Sequence, residues 1–593
     1  MKKGLSVILA LILLVGAFAG CAGTSENKDE GRGGIFRDYV TVSPAILNTH
    51  INTDATTINR ALSTVLYKEY LNEDGTGYQF ECMLAADVPQ KMDEEGKVWH
   101  IKVRDDYYWA DYGPTKGKNA KMNADTVIYS FKMCLDPDLL NPKASLLTNN
   151  SYMQIKNAYE YQQQYSTGVA VDWEEVGLKK VDEYTVELTT EKPTSQQSVM
   201  ATMGSYVWGY MIYQPLFEEC LSSDGSYTTY GTDVDTWASS GEFILTEWIP
   251  DSKITMIRNP DYVRADDIYL DGIEFYVVPD SNTAVELFEA GQLDRVELLY
   301  QFWESYAEDP RVYEYYSASC NYLFINNGNR NNNGLLGNLN FRKAIYYGVD
   351  RMEFATAMDA NPNTRLYKRA VICDRDTGKS ILSVPVDWAD DPTTVFNLAA
   401  SAEYLAKAYE ECGINGATLE TIYIETATHT RASVEIFQKQ MNDNLKGITV
   451  KNRSVPTSLT YKLRRWDPSN PEAYEFNIGA LAPSNETPLD TMKFFDPDYG
   501  QPVFYWDNMP DARDRFAKLY DDAETALSED NWEKLTDLCL EMEEILVKEI
   551  YIRVPLYEIA TKRLYSERVQ LPVSEYINGY GFGELYAKIV EVE

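Results

Sequence analysis

The sequence predicts an α/β protein of two or three domains. Three observations carry this. The chain has 593 residues, and without its N-terminal leader roughly 560 remain, enough for two or three domains with real cores. Residues 239–299 read β-β-β-α-β, and residues 419–454 read β-α-β, where a right-handed crossover is expected.

The leader comes first. Lys2-Lys3 is basic, and residues 5–18 form an apolar run too short to span a bilayer comfortably. Residues 22–34 are polar and glycine-containing, unable to bury enough surface to fold, and read as a tether. No later apolar run reaches membrane-spanning length.

Charge and composition exclude several functions. A formal net charge of −37 argues against nucleic acid, because phosphate binding needs clustered Lys and Arg. It also argues against adhesion to anionic lipid, and it suits solubility on an exposed surface. Besides Cys21, seven cysteines are widely spaced with no C-x-x-C, and an odd number cannot all pair. The 3 histidines are scattered, so no zinc or haem pattern exists, and no G-x-S-x-G elbow is present. No cofactor or metal is expected. The 44 Tyr and 11 Trp suit stacking on sugar rings as well as burying side chains.

In chain order, residues 38–42 predict a strand and 58–70 a helix, with residues 98–103 a further strand. Asn123 is a good N-cap for a helix carrying Val127, Ile128 and Phe131 on its apolar side. Residues 184–190 form a strand, and 199–221 are aromatic and apolar. Strands follow at 243–249, 253–258 and 273–278, separated by Pro250-Asp251-Ser252 and by Asn259-Pro260-Asp261 with Asp271-Gly272. Asp280, Ser281 and Asn282 are all good caps, and Thr283 with Glu286 has capping-box spacing. That helix should end at Gly291 before a return to strand at 293–299. Helices are expected at 340–351, 400–413, 431–444 and 532–550, and strands at 419–426, 448–454, 475–480 and 553–557.

Several segments carry a resemblance. Ser239-Ser240-Gly241-Glu242-Phe243, Glu247-Trp248, Arg258-Asn259-Pro260-Asp261-Tyr262, Leu270-Asp271-Gly272-Ile273-Glu274-Phe275, Pro279-Asp280-Ser281-Asn282-Thr283 and Gly291-Gln292-Leu293-Asp294 occur in this order. So do Trp109, Ala124-Asp125, Tyr129-Ser130, Tyr322-Leu323-Phe324-Ile325-Asn326-Asn327 and Phe341-Arg342-Lys343-Ala344-Ile345. Together they resemble the bacterial extracellular solute-binding proteins of family 5, the oligopeptide, dipeptide and nickel binders of ABC importers. The family's turn has a Gly and a Pro where this chain has Ser239 and Glu242. Phe18-Ala19-Gly20-Cys21 similarly resembles a lipobox, which implies cleavage and a diacylglyceryl anchor on Cys21.

The resemblance implies a two-lobed periplasmic-binding-protein-like fold (type II, with an extra inserted domain) and a hinge between lobes. Its expected parts are a signal peptide (1–20), a lipidated tether (21–35), lobe I (36–72, 200–303 and 549–593), inserted domain II (73–199) and lobe III (304–548). It further implies a monomeric receptor that does no chemistry. Such a receptor captures a peptide or similar small solute outside the cell membrane and delivers it to the permease of an ABC transporter. Asn52, Thr53, Asp54, Tyr322, Asn326, Leu481, Ser484 and Glu486 are the implied ligand-binding residues. In peptide-binding relatives, the segment after the strand 476–479 supplies a Trp to the pocket and an Asp to the peptide's α-amine. Here Ala480 and Pro483 stand in those places, and proline carries no charge. Glu486 either takes over as the anion or is a surface loop residue. An oligosaccharide receptor on the same fold, or a surface enzyme on this scaffold, remain the alternatives.

Overall fold

The computed structural model describes residues 32–50, 56–73, 75, 77–139, 141, 144–148, 153–204, 209–316, 320–369, 371–374, 378–424, 428–456, 474–480, 487–498, 505–506, 508–577 and 580–591. Strands are numbered along the chain. Lobe I is built on a four-stranded sheet of β1 (Ile35–Val40), β10 (Gly272–Val277), β9 (Lys253–Arg258) and β8 (Phe243–Ile249), in that order. β1 runs parallel to β10, with Ile35 opposite Gly272 and Val40 opposite Val277. β8, β9 and β10 form an antiparallel meander. A three-stranded sheet of β11 (Arg295–Leu298), β21 (Thr561–Tyr565) and β12 (Val312–Tyr315) adjoins it, and a hairpin of β2 (Tyr67–Leu71) and β3 (Tyr78–Cys82) covers the lobe's core. β22 (Val569–Gln570) and β23 (Lys588–Ile589) pair near the C-terminus.

The inserted domain holds β4 (Gln90–Lys91), β5 (Val98–Lys102), β7 (Thr185–Thr189) and β6 (Leu178–Asp182). Against this sheet packs the helix Ala124–Cys134, capped by Asn123 and Thr126 in a reciprocal capping box. Lobe III is a six-stranded mixed sheet in the order β14 (Ala360–Pro362), β20 (Arg553–Ile559), β13 (Cys320–Ile325), β19 (Phe476–Ala480), β17 (Ala417–Ile424) and β18 (Ile448–Val455). β15 (Ile372–Asp374) and β16 (Lys379–Ser380) form a separate antiparallel pair, with β15 against the helix Trp532–Glu544. β17 and β18 are parallel neighbours joined through the helix Thr428–Asn444, the expected β-α-β unit.

The chain passes between the three-stranded and six-stranded sheets twice, from β12 to β13 and from β20 to β21. Ala560 alone separates β20 from β21. Residues 553–559 pair with β13 in the six-stranded sheet, whereas 312–315 pair with β21 in the three-stranded one.

The order of elements follows the sequence closely, with three differences. The helix expected over 58–70 is confined to Thr56–Leu62, because Tyr67–Leu71 pairs with β3 instead. The helix expected over 340–351 breaks at Val349, whose ψ of 118° is extended, and Asp350 caps a second helix, Arg351–Met358. The capping-box Thr283 is not the cap of its helix; Asp280 is, accepting the Thr283 N–H at 2.8 Å. The helix Trp532–Glu544 continues as one π-helical turn, Ile545–Glu549. All seven cysteines of the body are free thiols, four of them buried.

The retained glycine of the family-like turn has a definite task. A Cβ on Gly241 would lie 2.7 Å from the Ala61 carbonyl oxygen, and both Ser240 and Gly241 donate their N–H to Leu62 O. The turn packs directly onto the end of the first helix, and only glycine fits.

Candidate functional site

Parallel strands gather their carboxyl ends at one edge of a sheet, and ligands of open α/β sheets bind outside that edge. Each lobe has such an edge. In lobe I it is formed by Val40 and Val277, the last residues of β1 and β10. In lobe III it is formed by Ile424, Val455 and Ala480, which end the mutually parallel β17, β18 and β19. The start of β13 and the end of β20 lie on the same edge, since Asn321 opposes Ala480 and Cys320 opposes Glu558. Both crossings between lobes therefore leave from that edge.

At the lobe I edge, an open cavity of about 580 Å³ is bordered by residues 39–44 and by Thr57, Ile58, Ser281, Glu297 and Leu299. Val42 is 74% exposed there. The chain then turns inward. Leu47, Asn48, Thr49 and His50 are all fully buried. Leu47 N–H donates to Gly231 O at 2.7 Å, and Asn59 Nδ2 donates back to Leu47 O at 2.8 Å. This ties residue 47 to residue 59; Asn52, Thr53 and Asp54, between them, lie outside the described residues. His50 packs against Tyr210 and Phe217, and neither ring nitrogen has a hydrogen-bond partner. Burial pushes its pKa down to about 3.

At the lobe III edge, residues 425–427, 457–473 and 481–486 leave the ends of β17, β18 and β19, and all lie outside the described residues. Leu481, Ser484 and Glu486 are among them, as Cys21 is among residues 1–31. Tyr322 and Asn326 are described, and both point into the protein. Tyr322 is 2% exposed, and its phenol donates to the Leu366 carbonyl. Asn326 Nδ2 donates to Tyr474 O at 2.7 Å, which anchors the start of β19.

What Tyr322 anchors is a segment that the sequence did not single out. Residues 363–369 lie against the edge, held by carboxylates from distant parts of the chain. Arg365 Nε donates to Glu543 at 2.9 Å, and the Leu366 N–H donates to the same carboxylate at 2.6 Å. The Arg369 N–H donates to Glu558 at 2.7 Å. Burial raises the Glu558 carboxyl, opposed by the Arg369 N–H and its guanidinium. Burial likewise lowers the Lys368 ammonium, opposed by Asp490 and Glu558. Asp490 stands on the helix Leu489–Lys493, immediately after the segment carrying Glu486. No spacing rule links residues 365, 490, 543 and 558, so nothing in the sequence could have grouped them.

Among the described residues, no group of three or more His, Cys, Asp or Glu could hold a metal ion. None of the described helices is long and apolar enough to cross a membrane.

Comparison with known proteins gives the following. Residues 79–500 match the family model "Bacterial extracellular solute-binding proteins, family 5 Middle". The oligopeptide-binding protein AliA of Streptococcus pneumoniae is 25% identical over 385 residues, covering 60% of this chain and 54% of that one. The dipeptide-binding protein of Lactococcus lactis subsp. cremoris is 22% identical over 468 residues, covering 76% of each chain. The chain spans about half the length of the first curated relatives it matches. The substrate-binding domain of an oligopeptide ABC transporter from Bacillus anthracis superposes with a TM-score of 0.63 at 21% identity, covering 95% of this chain and 100% of that one.

Proposed function

The chain belongs to the bacterial extracellular solute-binding proteins of family 5, and from that premise we propose that it is the peptide-capturing receptor of an ABC importer. A peptide lies between the carboxyl edges of the two lobes. Contacts to both lobes select the closed arrangement, and the two strand crossings flex to permit it. A membrane permease then receives the ligand. The observation that carries this reading is the pairing of carboxyl edges with crossings: the chain passes from lobe to lobe at β12–β13 and β20–β21, beside the edge where a ligand would sit.

Asn52, Thr53 and Asp54 from lobe I and Leu481, Ser484 and Glu486 from lobe III are the proposed contact residues. Glu486 takes the peptide's α-amine in place of the acid that Pro483 replaces. Tyr322 and Asn326 support that edge from behind through Leu366 and Tyr474. Cys21 carries the lipid that holds the mature, monomeric protein to the outer face of the cell membrane, two acyl chains being enough for stable anchoring.

Mass spectrometry of ligands that co-purify with the protein tests the assignment, followed by thermal-shift measurements on a panel of peptides and oligosaccharides. Peptides are expected in the eluate and are expected to raise Tm. Stabilisation by sugars alone would overturn the peptide assignment. Turnover of a solute without stabilisation would overturn the receptor reading.

A further inference from the structure

The helices Pro510–Ser528 and Trp532–Glu544 pack together as a hairpin. Its turn is fixed by its own residues. Asp530 sits at a φ of 57° and donates its N–H to Leu527 O, and the Asn531 side chain accepts the Lys534 N–H at 3.1 Å as cap of the second helix. The Trp532 indole N–H donates to Asp530 at 3.1 Å, which fixes the ring at the tip.

Around this tip the hairpin meets two parts of the chain that are remote in sequence. Glu524, near the end of the first helix, takes the Lys192 ammonium on both carboxylate oxygens at 3.0 Å. Lys192 stands three residues beyond β7, and Thr190 Oγ1 donates to its carbonyl at 2.7 Å, which ties it to the inserted domain. Trp532 packs on an apolar cluster of Tyr78 from β3, Ile372 from β15 and Ile577. Tyr78 and Ile372 are each 2% exposed, although β2–β3 and β15–β16 are separate strand pairs. Thr536 Oγ1 fastens β15 to the second helix by donating to the Cys373 carbonyl at 3.3 Å. Drawing the hairpin and β15 away from β3 would return this apolar surface to water, which the hydrophobic effect opposes.

The hairpin also supports the segment of proposed ligand contacts. The helix Leu489–Lys493, which follows residues 481–486, lies against both of its helices. Carboxylates crowd there. Burial lowers the Lys493 ammonium, opposed by Asp490 and Glu524. Burial raises the Asp496 carboxyl, and Asp498, Glu524 and Asp521 push it the same way. Lys192 thus brings a cation from the inserted domain to an acidic patch.

Resting on the receptor reading above, we propose that the tip of this hairpin is a clasp, whose contacts through Glu524 to Lys192 and through Trp532 and Ile372 to Tyr78 hold the lobes closed over the ligand. The apolar contact supplies most of the hold, since a pair with side chains 63% and 28% exposed contributes little. The ion pair sets where the inserted domain lands, because like charges brought together there repel.

Small-angle X-ray scattering of the ligand-stripped full chain reads the ratio of open to closed molecules. Lys192→Glu puts a further carboxylate against the acidic patch and is expected to raise that ratio about fivefold or more. Glu524→Lys should do the same by facing Lys192 with a second cation, and the exchanged pair Lys192→Glu/Glu524→Lys should return the ratio to that of wild type. Trp532→Ala should also raise it, and the charge variants serve should Trp532→Ala not fold. Unchanged scattering in both charge variants would overturn the clasp, and so would a rise that the exchanged pair fails to reverse. Failure of the receptor reading would show instead in the co-purification and thermal-shift results, which this ligand-free measurement does not use.

Discussion

Lys68 on β2 and Glu242, just before β8, form an ion pair in the core of lobe I, with side chains 4% and 1% exposed. Glu242 stands where the family's turn has proline. The Tyr262 and Tyr586 hydroxyls also donate to its carboxylate, at 3.4 and 3.3 Å, and burial pushes the Lys68 ammonium below its ordinary value. A departure from the family pattern is thus answered by a cation 174 residues away in sequence.

Breaking this pair leaves one buried charge unmatched. Glu242→Leu and Lys68→Met are each expected to cost about 3–5 kcal/mol, whereas the double variant Lys68→Met/Glu242→Leu should recover most of the loss. Urea unfolding of the two single variants and the double variant checks this. Additive losses would show that the two residues act separately.

His50 makes stability depend on acid. Its folded pKa is lowered to about 3 by burial, while the unfolded chain takes up the proton near 6.5. Above about pH 6.5 neither state is protonated and His50 contributes no penalty. Between about 6.5 and 3 only the unfolded state binds the proton, so stability falls by roughly 1.4 kcal/mol per pH unit from this group. His50→Asn should flatten that part of the profile. Urea midpoints at pH 7 and pH 5 measure it, and an unchanged slope would remove His50 as the cause.

Tyr322 and Glu486 should separate support from contact. Tyr322→Phe leaves the buried Leu366 carbonyl without its donor and is expected to cost about 1–3 kcal/mol of stability. Its effect on peptide Kd should stay below threefold. Paired urea unfolding and calorimetric titration distinguish the two effects, and a large loss of affinity at unchanged stability would make Tyr322 a ligand contact.

Glu486→Gln should do the reverse. Removing the proposed partner of the peptide's α-amine is expected to weaken binding at least tenfold, about 1.4 kcal/mol, with little change in Tm. An N-acetylated peptide should bind wild type and variant alike. If the variant binds the free-amine peptide as tightly as wild type does, Glu486 is a surface residue.

Local signals made most of the fold legible. Alternation marked β9, turn residues bounded β8 to β10, and Asn123, Gly291 and Gly413 marked helix ends where the structure has them. The reading failed where tertiary pairing overrode local preference. β2 lies inside an apparent helical pattern and is a strand because β3 offers it hydrogen bonds along its length. The candidate site was legible only in part for a similar reason. Its lobe I loop and its segment after β19 were read from the resemblance, but residues 363–369 were not, because their partners Glu543 and Glu558 are remote.

By itself the sequence determined the α/β class, the order of elements and the family, since periodicity, caps and turn motifs act over a few residues. Only the tertiary structure decided which sheets strands 312–315 and 553–559 join, because they do so through hydrogen bonds to distant partners. It alone decided that Tyr322 and Asn326 face inward and that Lys68 answers Glu242. Burial and charge pairing are properties of neighbours in space, and side chains 174 residues apart become neighbours only when the chain folds.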